Sequence, residues 1–238
     1  TIGIMGYAGD YGGDYAKGVA AAAEANGLTV AWEYIVPSPE FDVAQAVGLM
    51  VTKPVDAYFP AVGPGHMAAV AGGAFQQGLT PLSMMAAPSF NDAFVREGFA
   101  LAPLFNSGSM YLMAFVAPYE AETAGHATMR ATFTAMGIDS ANTFLVAGWA
   151  SQHHLKGVLE AANKGGDLTR AGIRRAAGSV YVDSDGMMPT RELGQNRADA
   201  ESFIAVPDGT IASGVKLLAG NYVGPSAGGY DWESGPCS

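Results

Sequence analysis

Short apolar runs alternate with segments of helical period over the first hundred residues. The apolar runs that have the length of strands lie at 2–6, 29–36, 55–61 and 81–85. The segments with helical spacing between them lie at 12–26, 41–51 and 65–77. Gly27 and Gly78 follow two of these segments, as a glycine does where a helix ends in the left-handed conformation. This alternation predicts an α/β fold with a doubly wound parallel sheet, which binds ligands at the carboxyl ends of its strands.

The pattern changes to helices after Pro118. Before that point, two further strands are predicted at 99–105 and 111–116. The helices predicted after it lie at 120–136, at 140–164 with Ser140 as N-cap, and at 169–177. Short strands at 179–182 and 200–206 and an irregular tail at 220–238 complete the chain. The late helices lack a matching set of strands, so their apolar faces need a second sheet that this sequence does not contain.

Composition narrows the function classes. A hydrophobic content of 49% over 238 residues is enough for a packed core. The net charge of -10, with only 12 Lys and Arg residues, argues against a nucleic-acid partner, because phosphates are bound by clustered basic residues. No apolar stretch reaches the length of a membrane span, and the start at Thr1 is interpreted as processed or truncated. Cys237 is the single cysteine and can form no internal disulfide.

Several stretches resemble one known family in their order and spacing. They are Ile2-Gly3-Ile4-Met5 with Asp10-Tyr11-Gly12-Gly13, Asp42 to Phe59, Phe75-Gln76-Gln77-Gly78-Leu79, Tyr111 to Tyr119, the helix from Ser140 to Leu159, Val182 to Gly186, and Pro207-Asp208-Gly209. Together they cover about residues 1–217. In this order they resemble the type I periplasmic binding proteins that serve branched-chain amino acid ABC transporters.

The resemblance implies two doubly wound lobes joined by three crossover segments, with a ligand held in the cleft between them. Residues 1–117 would form lobe 2, residues 118–180 a helical return into lobe 1, and residues 181–238 the final crossover strands and an irregular tail. One lobe would be complete and the other partial, because a missing N-terminal segment of the same protein carries the first half of lobe 1. The absent segment would account for the missing strands.

The resemblance also implies the protein's partners and location. They are a small-molecule ligand, which is an amino acid, an amide or an organic acid, and a membrane ABC permease. No cofactor and no enzyme activity are implied. The location would be the periplasm or the cell exterior, and a lipid anchor on the full-length precursor stays open. A sensory ligand-binding domain of the same fold is an alternative that the sequence does not separate from transport.

Candidate ligand-binding residues follow the predicted strands. Tyr11 follows the first strand, where its ring could close over an apolar ligand group or cap the helix start on the surface. The loops Val62-Gly63-Pro64 and Met85-Ala86-Ala87 follow the third and fourth strands and should face the cleft. The resemblance places Tyr11 and Phe144 against the ligand, although helical period alone also fits Phe144 as a core residue.

The chain departs from the amino-acid binders of the family at two of these positions. The best-known members carry an aromatic residue and a carboxylate at the positions matching Gly63 and Ala87, and the carboxylate pairs with the ligand's amino group. A buried ammonium without a partner costs roughly several kcal/mol. Either Asp10 or another acid replaces the carboxylate, or the ligand is a less polar amide, aromatic acid or aliphatic acid.

A nucleotide-dependent Rossmann-type enzyme is the alternative from another class. Gly6, Gly9 and Gly12 follow the first strand, and Glu33 lies about twenty residues on, at the end of the second strand, where an acid would bind ribose. The spacing differs from the dinucleotide fingerprint. Asp10, in the turn, would also repel a diphosphate at the helix N-terminus.

Other pairs of polar residues carry no chemistry. His153 and His154 are adjacent, so on a helix their side chains diverge and cannot share a metal ion. Asp183 and Asp185 begin like a calcium loop, but the residues after Gly186 supply no oxygen ligands, which indicates a turn. No grouping of a nucleophile with a base stands at the spacing of a known catalytic motif.

Overall fold

The structure is a computed structural model that describes residues 1–189, 191–192 and 201–227. Its strands are β1 (Ile2–Tyr7), β2 (Val30–Val36), β3 (Ala57–Ala61), β4 (Leu82–Ala86), β5 (Met110–Ala114), β6 (Tyr181–Val182), β7 (Arg191–Glu192), β8 (Glu201–Pro207) and β9 (Val215–Val223). Its helices are α1 (Asp10–Ala25), α2 (Val43–Thr52), α3 (Pro64–Gln76), α4 (Ala102–Phe105), α5 (Ala124–Ala135), α6 (Thr143–Lys164) and α7 (Arg170–Ala177).

A seven-stranded sheet in the order β2-β1-β3-β4-β5-β8-β9 organises most of the described chain. The first five strands are parallel, and β8 and β9 add to β5 in antiparallel pairing. β6 and β7 form a separate two-stranded ladder. The chain therefore leaves the sheet after β5, forms α5 to α7, and returns to the same sheet with β8. This architecture confirms the predicted α/β class with a doubly wound sheet.

Local sequence accounts for most helix boundaries. Gly27 and Gly78, at φ 67° and 76°, end α1 and α3 in the left-handed conformation, as predicted. Asp42 caps α2 by accepting hydrogen bonds from the amides of Ala44 and Gln45. The predicted N-cap at Ser140 is wrong. The helix begins at Thr143, because the Asn142 side chain accepts from the Leu145 amide at 3.1 Å.

Two other predictions are wrong. Residues 99–105 are a turn followed by α4 and not a strand, because Phe99 and Phe105 fold back onto Phe94, with ring centroids at 5.2 and 4.8 Å. The tail was predicted to be irregular from residue 220, but β9 continues to Val223 in antiparallel pairing with β8. Residues 224–227 contain no strand or helix, as predicted; residues 228–238 of the predicted tail and residue 200 of the predicted strand 200–206 lie outside the described residues.

The main core lies on one face of the sheet, under α2 and α3. Its largest fully buried side chains are Met5, Met50, Tyr58, Met67, Met85, Phe105 and Leu112. On the other face α1 packs on β1, β2 and β3. Beside α1, a groove of about 640 Å³ runs over Phe59, Met84 and Met113. One face of the sheet is therefore closed, and the other stays partly open in the described residues.

The described chain has two structural units. The sheet unit is the seven-stranded sheet with α1 to α4, and the helical unit consists of α5, α6 and α7 with β6 and β7. The helical unit has a small core of its own around Val116, Tyr119, Met129, Phe133, Val146, Ala150, Met187 and Met188. Among the described elements α6 packs on α7 and β6, and none of the three helices packs extensively on the seven-stranded sheet. Within the described ranges, no helix combines the length and hydropathy needed to cross a membrane.

An exposed apolar stripe runs along α6. Phe144, Leu155 and Leu159 are 51, 53 and 39% exposed, and they lie on one side of the helix by their spacing. The opposite side of α6 carries the buried Val146 and Ala150. The helical unit thus buries one side of its longest helix and leaves apolar surface on another.

Candidate functional site

The loops that follow β1, β3 and β4 meet at one edge of the sheet. These strands are parallel and adjacent, with Gly6 in register with Ala61, so their carboxyl ends lie side by side. The loop after β1 continues into α1, and the loop after β3 continues into α3, which begins at Pro64. Proline is favoured in the first helical turn because no amide partner is needed there. Two helix N-termini and the loop after β4 therefore border the same edge.

Ser89 joins the three loops. Its side chain is fully buried. Ser89 Oγ accepts from the Val62 amide at 3.2 Å, and it lies 3.3 Å from both the Pro60 carbonyl oxygen and the Tyr11 hydroxyl. The Tyr11 ring is thereby held against the edge while 38% of the residue stays exposed. Burial raises the pKa of Tyr11, so this residue offers a neutral hydroxyl.

A second cluster, called here the Tyr7–His66 pair, lies beside the first. The Gly63 amide donates to the Tyr7 hydroxyl at 2.9 Å, and that hydroxyl lies 2.6 Å from His66 Nδ1. The His66 ring stacks on Phe41 with ring centroids 4.9 Å apart. Residue 63 has little room for a larger side chain, because a Cβ there would lie 3.1 Å from the Tyr7 hydroxyl oxygen.

The structure brings most of the predicted ligand-binding residues to this edge. Tyr11, Gly63 and Pro64 are partly exposed there, whereas Val62, Met85, Ala86 and Ala87 are buried. Val62 and Met85 pack in the main core, so only their backbone groups can meet a ligand. Whether these residues bind a ligand stays a prediction.

Phe144 lies on the other unit. With Asn142 and Thr143 at the start of α6, it lines a narrow crevice whose opposite wall includes Phe90 and Asn91, in the loop after β4. The start of α6 thus faces the edge of the sheet. The resemblance placed Phe144 against the ligand, and the structure places it across from residues 90–92, in the loop after β4.

Two polar residues of the edge were not predicted. Ser89 and His66 have partners 27 and 59 positions away, and no local pattern marks such pairs. The one available signal for His66 was its place two residues after Pro64, in the first turn of a helix that follows a strand. Side chains at that place lie at the ligand-binding edge of a parallel sheet.

Hydrogen bonds hold the segment that leaves the sheet and the turn before β9 against other parts of the chain. In the segment that leaves the sheet, Glu120 accepts from the Ser213 amide at 3.0 Å and from its hydroxyl at 2.5 Å. Arg96 donates to the carbonyl oxygens of Ile211 and Ala212 in the turn before β9. The Ala117 amide donates to the Met187 carbonyl oxygen at 3.0 Å, so the outgoing segment contacts the chain that follows β6.

The charges at the edge are sparse. Two acids lie on its loops: Asp10 is exposed in the first turn of α1, and Asp92 faces Arg96 at 3.8 Å. Within the described residues, no group of three His, Cys, Asp or Glu side chains could hold a metal ion. The edge therefore offers neutral donors and apolar surface.

The dinucleotide interpretation meets a geometric obstacle. Glu33 is the fourth of seven residues in β2, in register with Ile4, and not at the strand's carboxyl end as predicted. Its side chain borders a depression beside Ala16 and Ala20 of α1. A Cβ at Gly12 would lie 2.2 Å from the Tyr7 carbonyl oxygen, so close packing of helix on strand explains this glycine without a ligand.

Known proteins resemble the chain over most of its length. The family model described as periplasmic binding protein matches residues 1–210. No curated protein matches the chain. Among solved structures, a fatty acid ABC transporter substrate-binding protein from Thermomonospora curvata is similar, with 23% identity, a TM-score of 0.84, and coverage of 96% of this chain and 59% of that one.

Two further solved structures show the same fold. An ABC transporter substrate-binding protein from Aeropyrum pernix is 15% identical with a TM-score of 0.72, covering 95% of this chain and 60% of that one. A branched-chain amino acid ABC transporter protein from Thermus thermophilus with bound valine is 13% identical with a TM-score of 0.69, covering 95% and 61%. The chain spans about 60% of the length of these structures. With more than half of its residues matched by the family model, the chain belongs to the periplasmic binding protein family.

Proposed function

We propose that the chain is the larger, C-terminal part of an extracytoplasmic solute-binding component of an ABC transporter. In this proposal it binds a small, partly apolar solute between two lobes and delivers it to a membrane permease. The sheet unit is lobe 2, and the helical unit is part of lobe 1. Membership in the periplasmic binding protein family supports the transport role.

One observation carries the proposal. The start of α6, with Phe144, faces the loop after β4 across a crevice, at the same edge of the sheet that holds Tyr11 and Ser89. A ligand at this edge would touch both units at once. Such a ligand favours the closed arrangement of the units by the free energy of the contacts it makes to both.

Polypeptide outside residues 1–238 completes lobe 1 in this proposal. The exposed apolar side chains of Phe144, Leu155 and Leu159 on one side of α6 support it, because a further layer of polypeptide would bury them. The groove over Phe59, Met84 and Met113 gives the same kind of support for the sheet unit. About two fifths of the length of the solved relatives is not covered by this chain. That length is enough for a further sheet and helices.

The test is ligand binding by the full-length protein, meaning the product of the whole reading frame that contains residues 1–238. Thermal shift and calorimetry with panels of amino acids, amides and organic acids are expected to identify a stabilising solute. Small-angle scattering should then show compaction on binding, because closure brings the lobes together. Stabilisation by NAD or NADP alone would overturn the proposal in favour of a Rossmann-type enzyme.

A further inference from the structure

The proton of Ser89 has two alternative acceptors. Ser89 Oγ accepts the Val62 amide proton, and its own single proton can go to the Pro60 carbonyl or to the Tyr11 hydroxyl oxygen. When the Ser89 proton is donated to the Tyr11 oxygen, the Tyr11 O–H can point away from Ser89. Tyr11 can therefore donate to a ligand oxygen while both residues keep their contact. Burial raises the pKa of Tyr11, which keeps this donor protonated.

His66 supplies a second donor. The Tyr7 hydroxyl accepts from the Gly63 amide, and its own proton can be donated to His66 Nδ1, which lies 2.6 Å away. In a neutral imidazole, an acceptor Nδ1 leaves the proton on Nε2. Among the hydrogen bonds of the described residues, none engages this Nε2–H. Stacking on Phe41 and the bond to Tyr7 fix the ring, so the donor is held in place.

In the part of the chain that the structure describes, the fully buried polar side chains include no Asp or Glu. Asp92 is occupied by Arg96, and Asp10 lies exposed on the first turn of α1. A ligand ammonium that is removed from water here would meet neutral donors, which cannot pair with it. A carboxylate would meet two donors, the Tyr11 hydroxyl and His66 Nε2–H. Hydrogen bonds from these donors are stronger when the acceptor is charged.

We propose that the solute is a monocarboxylate with an apolar body and no amino group. Its carboxylate accepts from the Tyr11 hydroxyl and from His66 Nε2–H. Its apolar body lies over Gly63, which has no side chain, and against Phe144 of the helical unit. This inference rests on the proposed function and names the class of its ligand.

Matched ligand pairs test the class directly. Each pair has one carbon skeleton with and without the amino group: 4-methylpentanoate against leucine, and phenylacetate against phenylalanine. Calorimetry on the full-length protein is expected to show the acid without the amine binding at least about tenfold tighter in one or both pairs. Tighter or equal binding of an amino acid in either pair would overturn the inference, and so would an absence of binding by both acids. Binding of amides or other solutes in that last case would leave the proposed transport function standing.

Variants test the two donors. His66→Phe keeps a ring for stacking on Phe41 but removes the Nε2–H, and Tyr11→Phe removes the hydroxyl. Each is expected to weaken binding of the preferred acid by about tenfold, the usual effect of losing a hydrogen bond to a charged group. His66→Gln restores a donor and should recover part of the affinity. Tyr181→Phe, at a residue that is 68% exposed on the helical unit, is the matched control and should change nothing.

The outcomes are separable from loss of folding. Each variant's melting temperature without ligand shows whether the fold is intact. An intact His66→Phe and an intact Tyr11→Phe that both bind the acid like the parent would overturn the assignment of the donors. A loss of affinity that His66→Gln does not recover would assign His66 a packing role only and would overturn its role as donor.

Discussion

The two units of this protein bury their apolar side chains to different extents. The sheet unit closes one face completely, with Tyr58, Met67 and Phe105 fully buried under α2 and α3. The helical unit buries a smaller cluster around Met129 and keeps large apolar side chains such as Leu155 exposed along α6. A parallel sheet can supply a core with its own crossover helices, whereas a helix pair with an apolar stripe needs a further layer. This difference is the reason for proposing that further polypeptide packs on the helical unit.

The largest expected effect concerns the closed core. Phe105→Ala should destabilise the sheet unit by about 3–5 kcal/mol, because it removes a fully buried ring and leaves a cavity. Phe75→Ala removes the same atoms from a residue that is 52% exposed and should cost under about 0.5 kcal/mol. Urea unfolding of both variants measures the contrast. Equal losses would show that the sheet unit is less closed than its burial indicates.

The next effect concerns the residue that joins the loops at the sheet edge. Ser89→Ala leaves the buried Val62 amide without its acceptor and should cost about 1–3 kcal/mol. The control is Ser151→Ala in the helical unit, where the exposed hydroxyl bonds only to the backbone of its own helix. That change should be close to neutral. An unchanged free energy of unfolding for Ser89→Ala, measured in the same experiment, would show that the hydrogen bonds of Ser89 do not stabilise the sheet edge.

The pH dependence of the helical unit is expected to be smaller. His126 is fully buried, lies 2.8 Å from the Thr123 hydroxyl and 3.2 Å from the Ala117 carbonyl oxygen, and burial lowers its pKa. The unfolded chain therefore binds a proton at higher pH than the folded one. The stabilising effect of neutral His126 is present above the ordinary histidine pKa of about 6.5 and is lost as the pH falls below it.

A matched variant isolates this effect. Thermal melts from pH 7.5 to 5.5, followed by circular dichroism, are expected to show a falling melting temperature in the parent protein. His126→Gln should weaken that slope. A slope that persists in full without His126 would assign the pH dependence to other groups.

Local chemistry made much of the sheet unit predictable. The glycine stops at Gly27 and Gly78 and the strand–helix alternation depend on short-range rules, and both were found as predicted. The antiparallel return of β9 was missed because its pairing with β8 spans a turn whose clamp, Arg96, lies more than a hundred residues away in sequence. The strand predicted at 99–105 is absent because Phe99 and Phe105 pack on Phe94. The local sequence pattern does not predict this packing.

The candidate site was predictable by position more than by chemistry. Placing Tyr11, Gly63 and Ala87 at the carboxyl ends of strands needed only the order of elements. Ser89 and His66 supply the polar contacts, and each acts through a partner that tertiary folding alone brings near. The absence of a carboxylate at Ala87, visible in the sequence, was the one chemical clue to the ligand.

Cysteine labelling tests the central claim that polypeptide outside residues 1–238 packs on the exposed stripe. Leu155→Cys on α6 is compared with Phe75→Cys on α3, two residues with nearly equal exposure, in a Cys237→Ser background. Each is placed in the chain 1–238 and in the full-length protein, and the rate of reaction with a maleimide is measured. The account predicts that residue 155 reacts at least about tenfold more slowly in the full-length protein, as for a site that must open to react, while residue 75 does not change. Equal rates at residue 155 in the two proteins would contradict it.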